Sequence, residues 1–219
     1  LTQARSIALR DIPLIVLSSY MADELELNGH VRPTVIAPCI DIGPTKSEAG
    51  NGFLIAGRLV HHKGIDFGHR AWQLAQTDQE LRIAGLGPAI ETAPGATALG
   101  WLNASELRKE LQQARALIFP SRWQEPYGII GVEALSMGTP VIAMSRGGMS
   151  DWAGIGSIIV APGDIQGMAA AIDTLTKHPE LSLALGRAGQ RSLGARPSPM
   201  QLIDQIQELY VKTTNTFIA

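Results

Sequence analysis

Three segments hold residue types that could handle an anionic, polyhydroxylated ligand. The first is Phe53-Leu54-Ile55-Ala56-Gly57-Arg58-Leu59-Val60-His61-His62-Lys63-Gly64, an apolar strand pattern running straight into a loop with two cations. Ligands of α/β sheets bind beyond such strand ends. Arg58 can fork two hydrogen bonds onto phosphate oxygens and Lys63 can add a point charge, so the pair suits a diphosphate. Solvation of two surface cations is the competing reading, and this segment alone does not decide between them. His61 and His62 are adjacent and would point apart on a helix or a strand. No carboxylate or cysteine nearby completes a metal set, so they are expected to be exposed loop histidines.

The second segment is Ile83-Ala84-Gly85-Leu86-Gly87-Pro88. Gly85 and Gly87 could let backbone approach a ligand, as in dinucleotide-binding turns. The third glycine of that fingerprint is missing, because position 90 is Ile. No acidic residue for a ribose follows the next strand, where Leu99 leads into Gly100-Trp101-Leu102. A plain tight turn is the alternative.

The third runs from Phe119 to Val141 and has the pattern strand, loop, helix, strand. Glu125 lies in the loop, where a carboxylate can accept hydrogen bonds from sugar hydroxyls, and Gly128 lets the chain pass close to a ligand. Ile129 and Ile130 would then offer unpaired amides at a helix N-terminus carrying about half a positive charge. Glu133 sits about one turn deeper, where two ribose hydroxyls could compensate a carboxylate that is costly to bury alone. The competing reading makes Glu125 a helix cap and Glu133 half of an ion pair.

The elements that must position these residues follow from hydrophobic patterning. Strands are expected at 14–17, 34–37, 52–56, 81–84, 96–99, 116–120, 140–143 and 157–160, alternating with helical stretches. Ile165, Met168, Ala169, Ile172 and Leu175 form one helical stripe, and Leu107 pairs with Leu111. The alternation predicts an α/β fold with a doubly wound, mostly parallel, Rossmann-like sheet. Ser198-Pro199-Met200-Gln201 has the form of a capping box opening a last helix with Leu202, Ile206, Leu209 and Tyr210 on one face. The expected division is 1–41 as the end of a preceding domain, 42–50 as a linker, 51–197 as the main domain and 198–219 as a terminal helix.

A net charge of -2 over 219 residues gives no general attraction to nucleic acid. The single cysteine, Cys39, excludes an internal disulfide. The apolar stretch from Gly128 to Met144 is interrupted by Glu133, Gly138 and Pro140, and so is not a membrane span. The chain opens on Leu1, its first methionine is Met21, and no signal-peptide layout is present, so it reads as part of something longer.

Taken in order, these segments resemble the C-terminal half of the GT-B fold in family-four glycosyltransferases, a retaining group. The resemblance rests on Gly57-Arg58-Leu59 to Lys63-Gly64, Gly85-x-Gly87-Pro88, Leu99-Gly100, and Glu125 and Glu133 with seven residues between them. Gly138-Thr139-Pro140-Val141 and Val160-Ala161-Pro162-Gly163-Asp164 extend it, as does the opening from Val16 to Ser19 and from Ile36 to Asp41. It implies that Arg58 and Lys63 hold the diphosphate of a nucleotide sugar and, with Glu125, carry the catalytic roles. Glu125 and the amides at Gly128, Ile129 and Ile130 would hold the sugar, Glu133 the ribose, and Leu102 and Trp101 the base. Gly57, Gly85, Gly87 and Tyr127 complete the implied donor-binding set. No Asp-x-Asp occurs, so fixed cations are expected to replace a metal ion, and no cofactor is implied.

The implied partners are the nucleotide sugar and an N-terminal acceptor-binding domain that could also touch a membrane, at a cytoplasmic location or the inner membrane face. The chain departs from the pattern in three places: about sixteen residues between Ile83 and Leu99, Cys39 for a common glycine, and Pro126-Tyr127 for Gly-Phe. A nucleotide-sugar epimerase or glycogen-synthase-like protein, a noncatalytic nucleotide-binding module and an NAD-binding domain are the alternatives.

Overall fold

Apolar four-residue strands alternate with helices along the chain, and a computed structural model describes residues 12–88 and 93–218. The chain divides into two contact units, Ile40–Gly194 and a smaller one made of Leu1–Cys39 with Ala195–Ala219. In the smaller unit, β1 (Ile15–Val16) pairs in parallel with β2 (Thr34–Val35), with α1 (Ser19–Leu27) between them in sequence. Both strands are shorter than expected. Ser18 caps α1 by accepting the Met21 amide at 3.2 Å.

In the larger unit, β3 (Phe53–Ala56) leads through a 3-10 helix, His61–Lys63, to α2 (Ile65–Leu74) and then to β4 (Leu81–Ala84) and β5 (Thr97–Gly100). Next come α3 (Ala104–Gln113), β6 (Ala116–Phe119), α4 (Ile129–Ser136), β7 (Val141–Met144), a second 3-10 helix (Gly147–Asp151), β8 (Ser157–Val160), α5 (Ile165–Lys177) and α6 (Pro179–Gly194). The chain ends in α7 (Pro199–Ile218), which belongs to the smaller unit. The capping box at its start is present, with Ser198 and Gln201 exchanging side-chain-to-backbone bonds of 2.9 and 3.3 Å. Pro120 and Pro140 fall just outside strands expected to contain them. Proline has no N–H to give a ladder, although the Pro140 carbonyl still accepts from Leu117 at 2.9 Å.

All six strands of the larger unit are parallel, in the order β5-β4-β3-β6-β7-β8. This is the doubly wound, Rossmann-like order. Phe53, Ile55, Leu81, Ile83, Ile118 and Ile142 form one core with α2 and α5, to which the predicted stripe contributes Met168, Ala169, Ile172 and Leu175. Side chains alternate across a strand, so Leu54, Leu117 and Ala143 lie on the opposite face and are buried too. Burial on both faces explains why the strands read as unbroken apolar runs.

The 42–50 segment, expected as a linker, is docked on the larger unit. Arg115 Nε donates to the Gly50 carbonyl at 2.6 Å, Arg187 holds the Lys46 carbonyl at 2.8 and 3.0 Å, and Gln190 holds that of Gly43 at 2.9 Å. The Lys46 side chain is buried with its Nζ donating to the Ala114 carbonyl at 2.8 Å. Among the described residues, no helix is long and apolar enough to cross a membrane.

Candidate functional site at the switch point of the sheet

β3 and β6 are neighbours, but the chain continues from β3 toward β4 on one side and from β6 toward β7 on the other. Crevices at such switch points, beyond the carboxyl ends of the strands, are where doubly wound sheets bind ligands. The loops leaving these two strands are 57–64 and 120–128, which hold Gly57, Arg58, Lys63, Glu125, Tyr127 and Gly128.

The loops are docked on each other. The Arg122 amide donates to the His62 carbonyl at 3.0 Å. Gly64 has φ 70°, and any side chain there would overlap the Pro120 carbonyl. The Arg122 guanidinium pairs with Asp66, donates to His61 Nε2 at 2.6 Å and lies 3.7 Å from the centre of the Phe67 ring. His62 packs against the Trp123 ring, with centroids 5.5 Å apart. His61 and His62 thus form a structural latch. Among the described residues, no group of three or more His, Cys, Asp or Glu side chains could hold a metal ion.

Within this frame Lys63 and Glu125 meet. Lys63 Nζ donates to both carboxylate oxygens, at 2.7 and 3.0 Å, and Ser121 Oγ donates to Oε1 at 2.6 Å. Glu125 is 5% exposed. Its backbone is held from behind, where the Gly148 amide donates to the Glu125 carbonyl at 2.7 Å. Glu125 is not a helix cap. The N-cap of α4 is Gly128, at φ 80°, and no side chain caps this end. The first amides of a helix have no intrahelical partner, so Ile129, 44% exposed, and Ile130 begin an uncapped, positive helix end.

The Arg58 side chain is exposed and forms no hydrogen bond or ion pair with the described residues, while its carbonyl accepts from the Val60 amide at 3.0 Å. A side chain on neighbouring Gly57, at φ 140°, would meet only open space. Glu133 is half-buried on α4 without a salt bridge to any described residue. Burial pushes its carboxyl above the ordinary range, and the Arg108 charge offsets this in part. The ion-pair alternative for Glu133 therefore does not hold.

Gly85 and Gly87, at φ 137° and 145°, approach other backbone closely: side chains there would overlap the carbonyls of Gly57 and Leu59. The same loops are zipped by Gly57 N to Ala84 O at 3.0 Å and Leu59 N to Leu86 O at 2.9 Å. The two glycines are needed first for that contact. Trp101, 72% exposed, and half-buried Leu102 follow edge strand β5. Tyr127 departs from its expected role, because the residue as a whole is 1% exposed and packs in the core. Its backbone is also engaged, with Trp152 Nε1 donating to the Tyr127 carbonyl at 2.5 Å.

Sequence reasoning passed over Ser121, Arg122 and the Gly147-Gly148 pair. Two adjacent glycines in the loop that follows β7 were a usable signal. Ser121 and Arg122 gave none, because their partners Glu125, His61 and Asp66 are brought to them by the docking of the loops.

A doubly wound sheet with an anion-receptive crevice at its switch point has the architecture of GT-B glycosyltransferases. Residues 50–178 match the family model described as glycosyl transferases group 1, and the chain belongs to that family. Glycogen synthase of Mycobacterium tuberculosis is 32% identical over 204 residues, covering 82% of this chain and 49% of that protein. The chain spans about half or less of the length of the curated relatives it matches. Among solved structures, sucrose-phosphate synthase of Thermosynechococcus elongatus superposes with a TM-score of 0.83 at 22% identity, covering 98% of this chain and 61% of that one. Anabaena HepE in complex with UDP and glucose gives 0.84 at 18% identity, over 96% and 66%. These likenesses establish the fold.

Proposed function

We propose that residues 40–194 bind a nucleoside-diphosphate sugar and form the donor half of a retaining, metal-independent glycosyltransferase. The observation that carries this reading is the grouping, around one switch point, of an exposed arginine whose side chain has no partner among the described residues, a lysine and an uncapped helix N-terminus. Arg58, Lys63 and the amides of Ile129 and Ile130 suit a diphosphate. Gly57 offers open backbone beside it. Glu133, half-buried without an ionic partner, suits the two hydroxyls of a ribose, whose protons would satisfy a carboxylate that burial disfavours.

Breaking the bond from sugar to phosphate leaves negative charge on the diphosphate and a cation-like sugar. Arg58, Lys63 and the α4 dipole would stabilise the leaving group as its charge grows, the task that a divalent ion performs elsewhere. Glu125 serves as a positioning group, not a covalent nucleophile. Acceptor binding falls to a further, N-terminal domain, so these 219 residues bind donor without turning it over. Nucleotide sugars are cytosolic, which makes the cytoplasm the expected compartment.

Thermal unfolding with UDP, GDP, ADP and NAD, with and without EDTA, tests the reading. Ligand at a hundredfold over its Kd should add ~2.7 kcal/mol and raise Tm by roughly 5–11 °C. Stabilisation by one nucleoside diphosphate that survives EDTA and weakens in Glu133→Ala is expected. A response to NAD alone, or to no diphosphate, would overturn it.

A further inference from the structure

We propose that Ser121 is a positioning residue that fixes the Glu125 carboxylate for a hydroxyl of the donor sugar, an inference that rests on the donor-site reading above. Ser121 follows β6 by two residues and is fully buried. Its hydroxyl has two neighbours: the Trp123 amide at 3.2 Å and Glu125 Oε1 at 2.6 Å. A main-chain N–H can only donate, so Oγ accepts from Trp123, and its own proton is committed to Glu125. The direction of the short bond is thereby fixed.

Counting donors to the carboxylate then shows where it remains open. Among the described residues, Oε1 receives Ser121 and Lys63, whereas Oε2 receives Lys63 alone, at 3.0 Å. An ionised carboxylate has about four acceptor positions, so the free capacity lies on Oε2. Gly148 holds the Glu125 carbonyl, and Gly147, at φ 60°, packs against the 124–125 backbone so closely that a side chain would overlap it. The backbone is therefore pinned, and Ser121 and Lys63 set the remaining torsions. Lys63 is also the cation proposed for the diphosphate. If it turns toward that ligand, Ser121 is the neutral donor left holding Oε1.

Small errors in such positioning are costly, since an ångström of misplacement can lose a factor of about a hundred in rate. Serine suits the position because its buried hydroxyl both accepts from the Trp123 amide and donates to Glu125, whereas alanine supplies no proton. The competing role is purely local: Ser121 would merely stabilise the turn through the Trp123 amide. The two roles differ in which ligand feels the change and in whether Ser121 acts through Glu125.

The test uses calorimetric titration of the 219-residue chain with UDP, GDP and ADP and with their glucose, galactose, mannose and N-acetylglucosamine conjugates. The readout is the gain from the sugar, the Kd of the diphosphate divided by that of its tightest conjugate. Ser121→Ala is expected to cut this gain about tenfold, the size of one hydrogen bond to a charged group, while leaving the bare diphosphate within about twofold. Ser121→Cys, close in shape but a weaker hydrogen-bond donor, should fall between, and it carries the test if the alanine variant does not fold. In a Glu125→Gln background, Ser121→Ala should have no further effect. Equal losses for diphosphate and conjugate, additive losses with Glu125→Gln, or no sugar gain in the parent chain would each overturn the proposal. Failure of every diphosphate to bind would instead sink the donor-site reading itself.

Discussion

Lys63 and Glu125, 62 residues apart in sequence, meet across the switch point, with the lysine Nζ 2.7 and 3.0 Å from the two carboxylate oxygens. The carboxylate side chain is 6% exposed and the lysine 22%. Removing one member of such a pair leaves an uncompensated charge, which costs more than removing both. Lys63→Ala is expected to destabilise the chain by about 2 kcal/mol, below the fully buried range because the lysine keeps some solvent. Lys63→Ala with Glu125→Gln should recover part of that loss in urea unfolding. Equal stability of the single and double variants would show that the pair is not coupled.

The Arg58 side chain holds none of the described residues, so its loss should be silent for folding and expensive for binding. Arg58→Ala is expected to stay within about 0.5 kcal/mol of the parent in stability. Its affinity for the responding nucleoside diphosphate should drop about tenfold or more and become less sensitive to salt. Unchanged affinity in titration calorimetry would remove Arg58 from the site.

Burial lowers the Lys46 amine from its ordinary 10.5 to about 7, helped by the charges of Arg115 and Arg82. The unfolded chain then binds more protons than the folded one between pH 7 and 10.5, so this group makes stability rise with pH across that window. Below pH 7 its penalty is at its full size, on the order of 5 kcal/mol at most. Lys46→Met forfeits the bond to the Ala114 carbonyl but escapes the penalty. Its stability relative to the parent should improve as pH falls from 10 to 7 and then level off. Urea unfolding across pH would read this, and a pH-independent difference would exclude it.

The Glu133 carboxyl is shifted upward by burial, the reverse of the usual carboxylate case. The folded state binds more protons than the unfolded one in the window just above the ordinary carboxylate value, so stability from this group is lost as pH rises through that window. Glu133→Gln should stabilise the free protein at pH 7, give no advantage at pH 3, and weaken nucleoside-diphosphate binding. A variant less stable at pH 7 would contradict this sign.

Gly85 combines φ 137° with contact against the Gly57 backbone. Gly85→Ala must either strain its own backbone or push the Gly57 loop away, at a cost of roughly 1–3 kcal/mol from each source. Calorimetric unfolding should show a loss of several kcal/mol, whereas Gly163→Ala, at φ 84° with open space around it, should lose only the strain.

Much of the architecture was legible because the periodicities were unmixed. Runs such as Phe53 to Ala56 and Val141 to Met144 are apolar at every position, which only a strand covered on both faces tolerates. The stripe from Met168 to Leu175 likewise had one helical solution. Strand ends were less legible: β1 and β2 contain only two residues each, because a lone parallel pair is set by its partner and not by its own propensity. The 42–50 segment read as a linker from its glycine and proline content, yet arginine and glutamine side chains of β6 and α6 neighbours hold its carbonyls.

Sequence alone singled out the candidate side chains and the loops and helix that hold them. Arg58, Glu125 and Gly128 lie in loops that leave strand ends and Glu133 on the helix that follows, and local spacing fixes them within a few residues. Tertiary structure decided which of them meet. That Lys63 reaches Glu125, and that the Arg122 amide meets the His62 carbonyl, depends on β3 and β6 becoming neighbours. The physical reason is that hydrogen bonds and ion pairs act over about 3 Å, while pattern and propensity report only on burial and local geometry along one stretch of chain.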